Sequence, residues 1–129
     1  MILQGRKISA GTASGPALVT AMGISFYGGV DPETGKVVEK DHELEGQSIA
    51  GRVLVFPTGK GSTVGSYTLY RLKKAGLAPA AIVNAEAETI TAVGCIISDI
   101  PCVDRIAISQ LQTGQFLQVD GNAGVVEAA

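Results

Sequence analysis

The amino-acid sequence predicts an α/β fold in which a small mixed β-barrel or sandwich is covered by two helices. Short apolar runs separated by glycine-rich turns occur at both ends of the chain, and the middle follows the order strand, helix, strand, helix, strand. The composition is 46% hydrophobic with 5% aromatic residues and 17 glycines, which indicates an aliphatic core and many tight turns. A length of 129 residues suits one domain, which we expect to span residues 1–129.

The N-terminal part is predicted to form short strands joined by turns. Residues 5–13 alternate loosely between polar and apolar side chains, which is typical of a strand. A turn at residues 14–16, Ser-Gly-Pro, then leads into a second strand at residues 17–20. Residues 24–27 predict a third strand, and residues 36–40 predict a short edge strand with charged ends.

Two polar segments follow these strands and are candidates for binding. Residues 28–35, GGVDPETG, predict an extended loop, which is a frequent place for binding residues, although a plain surface connection has the same composition. Residues 41–46, DHELEG, contain the single histidine, His42. Its flanking carboxylates allow a polar network or a partner contact, but we expect a solvated loop histidine.

The middle of the chain predicts a β-α-β-α-β unit. An apolar strand at residues 52–56 is followed by a helix at 67–75 and a strand at 80–83. We expect these two strands to be parallel, because a helix joins them. A second helix at 88–97 and a strand at 100–103 complete the unit.

The C-terminal end predicts a helical turn and a β-hairpin. The helical turn is expected at residues 108–111 and the first hairpin strand at 116–119. Asp-Gly-Asn at residues 120–122 is a hairpin-type turn signal, and residues 125–127 form the return strand.

The second helix and the cysteines are assigned to the core. Ile90, Val93 and Ile97 are spaced to form one buried helix face. Cys95 and Cys102 lie in apolar surroundings and are interpreted as small core residues. They form no C-x-x-C pair, and two thiols cannot hold a zinc ion or an iron–sulfur cluster without further ligands.

Charge and hydropathy exclude several classes of partner. The net charge is −2 without a basic stripe, so a nucleic-acid partner is not expected. No apolar run approaches the ~20 residues that span a bilayer, so no membrane partner is expected either. The N-terminus lacks the pattern of a signal peptide, and we expect a cytoplasmic location, in which structural disulfides are disfavoured.

The chain is organised around residues 57–70, PTGKGSTVGSYTLY, a glycine-rich turn that leads from the central strand into the first helix. Ser62, Thr63 and Ser66 place hydroxyls where that helix begins, and Lys60 adds a positive charge. A helix N-terminus favours anions, but serine and threonine are also ordinary helix caps, so both interpretations stay open. The spacing matches neither a Walker A loop nor the dinucleotide fingerprint.

Four segments together carry a resemblance to a known family. They are GRKISAGTASGPALVT, ISFYGGVDPETG, DHELEGQSIAGRVLVFPTGKGSTVGSYTLY and VDGNAGVVE. This set resembles the small subunits of the aconitase X family over nearly the whole chain. The loops GKGSTVGS and GGVDPETG are the most specific parts of the resemblance.

The resemblance implies a swivelling β/β/α domain and a separate large subunit that carries a four-iron four-sulfur cluster. It implies a hydro-lyase that is active only with both subunits and dehydrates mevalonate 5-phosphate to trans-anhydromevalonate 5-phosphate. By its place in the motif, Ser62 would be the proton acceptor, and Lys60, Gly61 and Thr63 would contact the substrate. Lys60 and Arg6 are candidates for binding the substrate phosphate, with the large subunit as the alternative.

Other functions are open at this point. Related members of the family dehydrate cis-3-hydroxyproline. A non-catalytic scaffold or a carrier module, such as a phosphohistidine domain, is the alternative from another class. A carrier needs a phosphorylatable histidine in its glycine-rich loop, where this chain has Ser62.

Overall fold

The computed structural model describes residues 1–129 and contains eight strands and three helices. The strands are β1 Ile2–Gln4, β2 Arg6–Ser9, β3 Thr12–Val19, β4 Val53–Phe56, β5 Ala81–Asn84, β6 Cys102–Asp104, β7 Phe116–Asp120 and β8 Val125–Ala128. The helices are α1 Phe26–Gly29, which is a short irregular turn, α2 Gly65–Lys74 and α3 Thr89–Ile97. A 3₁₀ turn covers Ile108–Gln110.

The strands form one mixed sheet in the order β1-β8-β7-β3-β4-β5-β6-β2. Strands β3, β4, β5 and β6 are parallel neighbours, and the outer pairs are antiparallel. Strand β3 belongs to both halves, because residues 12–16 pair with β7 and residues 17–19 pair with β4. The sheet therefore divides at β3 into a parallel and an antiparallel part.

The parallel part of the sheet is covered on both faces. On β4, Leu54 and Phe56 point into a core that contains Leu69 and Leu72 of α2. The alternate residues of the same strand point into a second core, shared with the antiparallel strands β7 and β8. The result is three layers, two of β-structure and one of helices, which confirms the predicted β/β/α architecture.

The predicted β-α-β-α-β unit is confirmed, and its strands β4 and β5 are parallel as expected. The C-terminal 3₁₀ turn and the β7–β8 hairpin are confirmed as well. The first strand, β1, was missed, because three residues with one partly buried side chain carry little periodic signal.

The predicted turn at residues 14–16 is wrong, since these residues lie inside β3. Proline cannot donate a hydrogen bond to a sheet. Pro16 is tolerated because it pairs only with Phe116 of β7, and pairing with β4 starts one residue later. Gly15 permits a close approach of the chain, since a Cβ there would lie 2.9 Å from the Gly51 carbonyl oxygen.

The strands predicted at residues 24–27 and 36–40 are also wrong. These segments make only isolated bridges, of which Ile24 with Gly59 and Val30 with Val37 are two. Gly28 has a φ of 84°, which interrupts an extended backbone. The apolar side chains of these segments, such as Phe26, enter the core individually. They do not form the common face of a β-sheet.

The predicted buried face of α3 is wrong in its orientation. Val93 and Ile97 are each 43% exposed, whereas Thr91, Gly94 and Cys95 are buried. The reason is close helix packing: a Cβ on Gly94 would lie only 2.6 Å from a methyl carbon of Leu69 on α2. The glycine, rather than the isoleucines, decides which face of α3 meets α2.

The two cysteines are free and buried in the core, as predicted. No helix of the structure combines the length and the apolar character that crossing a bilayer requires.

Candidate functional site

The serine loop, residues 60–64, connects β4 to α2 and is exposed at all five positions. It follows the carboxyl end of β4, a central strand of the parallel part of the sheet. Open α/β sheets bind ligands at this edge. The position therefore suits a binding or catalytic loop.

Ser62 lies in the middle of this loop, three residues before the first residue of α2, Gly65. Its Oγ accepts a hydrogen bond from the Val64 amide at 3.2 Å, and its carbonyl oxygen accepts one from the Gly65 amide at 2.9 Å. Residue Val64 is the N-cap of α2, and no side chain caps this helix. The Ser62 hydroxyl thus forms a local turn and stays open to solvent, which disfavours the interpretation as a helix cap.

The three hydroxyls predicted at the helix start have different environments. Ser62 and Thr63 are exposed, whereas Ser66 is buried and donates to the Ile90 carbonyl oxygen at 2.7 Å. Ser66 therefore joins α2 to α3 and faces away from the loop surface. Only Ser62 and Thr63 can meet a ligand from solvent.

The backbone of the serine loop has unused donors. The amides of Gly61, Ser62 and Thr63 donate no hydrogen bond to any group of the chain. They precede the positive end of α2, where anions are stabilised. Adjacent amides of this kind can bind a carboxylate, a phosphate or a developing oxyanion.

Lys60 begins the loop and is paired with an acidic side chain that the sequence did not indicate. Its Nζ lies 3.1 Å from Oε2 of Glu39, and the Lys60 side chain is 50% exposed. The periodic pattern placed Glu39 on an edge strand, and no local signal predicts a contact across this many residues. The pair links the serine loop to the segment that follows the GGVDPETG loop.

Gly61 has a φ of 91°, in the left-handed region that favours glycine. A Cβ at this position would collide with Oγ of Ser25, whose hydroxyl donates to the Tyr27 carbonyl oxygen at 2.9 Å. Ser25 and Tyr27 are thus neighbours of the loop that sequence reasoning missed. The sequence pattern predicts a strand for their segment, residues 24–27, and so gives no sign of this contact.

Gly59 anchors the base of the loop against α3. A Cβ there would collide with the Glu88 carboxylate and the Thr91 hydroxyl. Glu88 caps α3 by accepting hydrogen bonds from the Ile90 and Thr91 amides, both at 2.7 Å. The capped start of α3 therefore packs against the base of the serine loop.

The prediction of a solvated His42 is wrong, because the residue is only 4% exposed. Its Nδ1 accepts a hydrogen bond from the Leu44 amide at 3.0 Å, so the ring proton lies on Nε2, 3.1 Å from the Gly23 carbonyl oxygen. The sequence shows polar neighbours for His42 but not the distant segment that covers it.

Comparisons with known proteins decide the family. The sequence profile of the family described as aconitase X swivel domain matches residues 2–128. The chain belongs to the aconitase X swivel-domain family. This confirms the family that the resemblance indicated.

Two named relatives of this swivel domain are small subunits. The phosphomevalonate dehydratase small subunit of Thermococcus kodakarensis is 57% identical over 127 residues, covering 98% of this chain and 96% of the relative. The protein of the same name from Methanocella arvoryzae is 55% identical, with 98% of each chain covered.

Solved structures share the fold of this swivel domain. A crystal structure of Thermococcus kodakaraensis aconitase X in its holo-form matches with a TM-score of 0.98 and 55% identity, covering 100% of this chain and 98% of that chain. A solution NMR structure matches with a TM-score of 0.91 and 48% identity, covering 100% and 99% of the two chains.

The swivel domain's own residues do not fit an iron–sulfur cluster. It has no group of three or more His, Cys, Asp or Glu side chains arranged to hold a metal ion. The hydrogen bond with Cys102 and complete burial raise the pKa of Cys95 well above its usual range, so this thiol is not a ready thiolate ligand. A cluster would need ligands that the residues of this chain do not supply.

Arg6, a predicted phosphate ligand, is engaged elsewhere in the swivel domain. Its Nε and Nη2 donate to the two carboxylate oxygens of Asp104 at 3.0 and 2.7 Å. Burial would raise the pKa of Asp104, but hydrogen bonds from Arg6 and the Ala87 amide, with the charges of Arg6 and Arg105, hold it below its usual range. Arg6 is therefore part of a fold-stabilising pair.

Proposed function

We propose that this swivel domain, residues 1–129, is the small subunit of a phosphomevalonate dehydratase and that Ser62 is the proton acceptor. The reaction removes water from mevalonate 5-phosphate and yields trans-anhydromevalonate 5-phosphate. The names of the relatives, at 57% and 55% identity over 98% of the chain, support the substrate. The observation that carries the role of this chain is the solvent-open hydroxyl of Ser62 beside unused backbone amides.

Dehydration takes a proton from one carbon and a hydroxyl from its neighbour. In the proposal, Ser62 Oγ takes the proton as an alkoxide, so the hydroxyl must first lose its own proton and the negative charge on Oγ must be stabilised. The Val64 amide donates to Oγ and stabilises negative charge on it. The positive end of α2 contributes at most about 2 kcal/mol, or roughly 1.5 pKa units.

These contributions are too small to activate a serine on this chain alone. Lys60 offers less than its full charge, because Glu39 lies 3.1 Å from its ammonium group. The remaining stabilisation has to come from groups of the large subunit or from the bound substrate. We therefore expect the isolated chain to be inactive.

The substrate contacts are assigned to Lys60, Gly61 and Thr63. The Gly61 and Thr63 amides are free donors, and the Thr63 hydroxyl is exposed beside them. Lys60 can exchange its Glu39 partner for an anionic substrate group, since its side chain is half exposed. Because Arg6 is bound to Asp104, we assign the phosphate to Lys60 or to the large subunit.

The four-iron four-sulfur cluster is proposed to belong to the large subunit. The absence of a suitable ligand group on this chain supports that assignment. The acceptor of the departing hydroxyl is then also supplied by the large subunit. This chain contributes the serine loop on a domain that docks onto the partner.

A phosphohistidine carrier is disfavoured by the environment of His42. Both ring nitrogens are engaged in hydrogen bonds, and the ring is buried, so it cannot accept a phosphoryl group from solvent. A hydroxyproline substrate and a purely structural role are outcomes that the experiment distinguishes.

The test is dehydration of mevalonate 5-phosphate by this chain mixed anaerobically with the large subunit. Wild type, Ser62→Ala and the control Ser109→Ala are compared; Ser109 is an exposed serine on the 3₁₀ turn. We expect activity in wild type and in the control, and loss in Ser62→Ala with the complex intact. Full activity of Ser62→Ala would remove Ser62 as the base and leave a structural role.

Absence of activity in every sample would exclude mevalonate 5-phosphate as the substrate. Cis-3-hydroxyproline is then assayed with the same set of variants. Turnover of that substrate with loss in Ser62→Ala would move the chain to the other branch of the family while keeping Ser62.

A further inference from the structure

The backbone of the serine loop is held by a segment that is distant in sequence. The Ile24 amide donates to the Thr58 carbonyl oxygen at 3.3 Å, and the Lys60 amide donates to the Ile24 carbonyl oxygen at 3.0 Å. Ile24 also forms a parallel bridge with Gly59. These contacts support the base of the serine loop in addition to the contact between Gly59 and the start of α3.

Gly23 continues this support. A Cβ on Gly23 would lie 3.2 Å from the Thr58 carbonyl oxygen and 3.6 Å from Cδ of Lys60, so the backbone of Gly23 packs directly on the start of the serine loop. The position of Gly23 therefore determines where residues 58–60 lie.

His42 is the group that holds Gly23. Its Nε2 donates to the Gly23 carbonyl oxygen, and its Nδ1 accepts from the Leu44 amide, so one neutral ring joins two segments. His42 is buried, with 4% of its surface exposed, which shields both hydrogen bonds from water. The His42 side chain therefore links the DHELEG loop, residues 41–46, to Gly23, whose backbone packs on the start of the serine loop.

We propose that His42 is a positioning residue for the dehydration, which it serves by fixing Gly23 and Ile24 and, through them, the backbone that carries Ser62. The inference rests on the proposed function of Ser62. In this role, His42 does not touch the substrate and affects the reaction only through the position of the serine loop.

Two substitutions separate the hydrogen bonds of the ring. In His42→Asn, the side-chain oxygen can replace Nδ1 as acceptor for the Leu44 amide, but nothing reaches Gly23. In His42→Gln, the side-chain amide can replace Nε2 as donor to Gly23. Asp41→Asn is the matched control, because Asp41 is exposed and its φ of 67° is one that asparagine tolerates.

In the complex with the large subunit, we expect kcat of His42→Asn to fall by at least about tenfold with little change in KM, since a misplacement near 1 Å can cost about a hundredfold. The kcat of His42→Gln is expected to stay within about threefold of the wild-type value. The control, Asp41→Asn, is expected to have the wild-type kcat. Equal kcat for His42→Asn and wild type would overturn the proposal.

Hydrogen–deuterium exchange of the same complexes reports on the loop itself. His42→Asn should speed exchange in peptides covering residues 58–62 and leave β4, residues 53–56, unchanged. A fall in kcat without faster exchange at 58–62 would contradict positioning. If wild type does not dehydrate mevalonate 5-phosphate, the proposed function fails, and the exchange data alone decide whether His42 fixes the loop.

The wild-type complex provides an independent measurement in case His42→Asn does not assemble. The chain has one histidine, so ¹⁵N-labelling of this subunit alone gives one imidazole. Nitrogen chemical shifts of a neutral ring with the proton on Nε2 are expected. A ring protonated on Nδ1, or a charged ring at the pH of the assay, would overturn the proposal.

Discussion

The ammonium nitrogen of Lys60 lies 3.1 Å from a carboxylate oxygen of Glu39, and this contact joins the serine loop to the segment that follows the GGVDPETG loop. Exposed pairs of this kind contribute about 0–1 kcal/mol to folding. A pair that is weak as a fold contact can be exchanged at low cost, so the Lys60 charge is available to an anionic ligand that displaces Glu39.

Replacement of Lys60 by methionine is expected to weaken substrate binding. A hydrogen bond to a charged group is worth about 1.5–3 kcal/mol, so KM should rise by about tenfold to a hundredfold. Steady-state kinetics with excess large subunit measure this effect. Lys40→Met is the control, since Lys40 is exposed and forms no ion pair. An unchanged KM for Lys60→Met would place the phosphate on the large subunit.

Gly61→Ala is expected to destabilise the chain and to reduce activity. The φ of 91° strains any side chain, at about 1–3 kcal/mol, and the new methyl group would collide with Ser25. Gly46→Ala is the control for the cost of the left-handed backbone alone. Gly46 has a φ of 85°, and nothing lies within 4 Å of its Cβ position. Urea unfolding of both variants measures the difference.

A double-mutant cycle isolates the collision. Ser25→Ala removes the hydroxyl that the Gly61→Ala methyl would meet, so the double variant should be more stable than the sum of the single effects predicts. Simple additivity would show that the strain of the backbone, rather than Ser25, accounts for the loss.

Asp104→Asn is expected to lower the free energy of unfolding by about 2 kcal/mol at neutral pH, since a charged hydrogen-bond partner of Arg6 is lost. The pKa of Asp104 is lowered in the folded chain, so its contribution is present above the usual pKa of an aspartate and disappears as the pH falls through the folded value.

The stability difference between wild type and Asp104→Asn should therefore shrink below about pH 4. Asp99→Asn is the control, because Asp99 is exposed with a φ of 53° that asparagine tolerates. Urea titrations at several pH values measure the trend. A difference that is independent of pH would show that Asp104 does not act through its charge.

Gly94→Ala is expected to cost about 1–3 kcal/mol, because the methyl group would enter the packed contact between α3 and α2. Its Cβ would lie 2.6 Å from a Leu69 methyl carbon and 3.2 Å from Cα of Ser66. Val93→Ala, at the neighbouring exposed position, should change stability by less than about 0.5 kcal/mol. Thermal unfolding of both variants separates packing from helix propensity.

The sequence by itself determined the features whose causes are local. Alternation, apolar runs and turn residues predicted β4, α2, β5, α3 and the β7–β8 hairpin, because each of these elements depends on neighbours a few residues away. The glycine-rich stretch at residues 57–70, which contains the serine loop, was predicted for the same reason: three glycines and a cluster of hydroxyls between a strand and a helix form a local pattern. The motif also carried the resemblance to the family.

Only the tertiary structure decided the features that depend on distant segments. Pro16 lies within a strand because β4 begins pairing one residue later, and α3 turns its glycine toward α2 because close approach outweighs burial of its isoleucines. The pairing of Glu39 with Lys60 and the burial of His42 against Gly23 join residues about 20 positions apart. Such contacts leave no periodic trace in the sequence, since they arise from loops whose conformations are set by the packing around them.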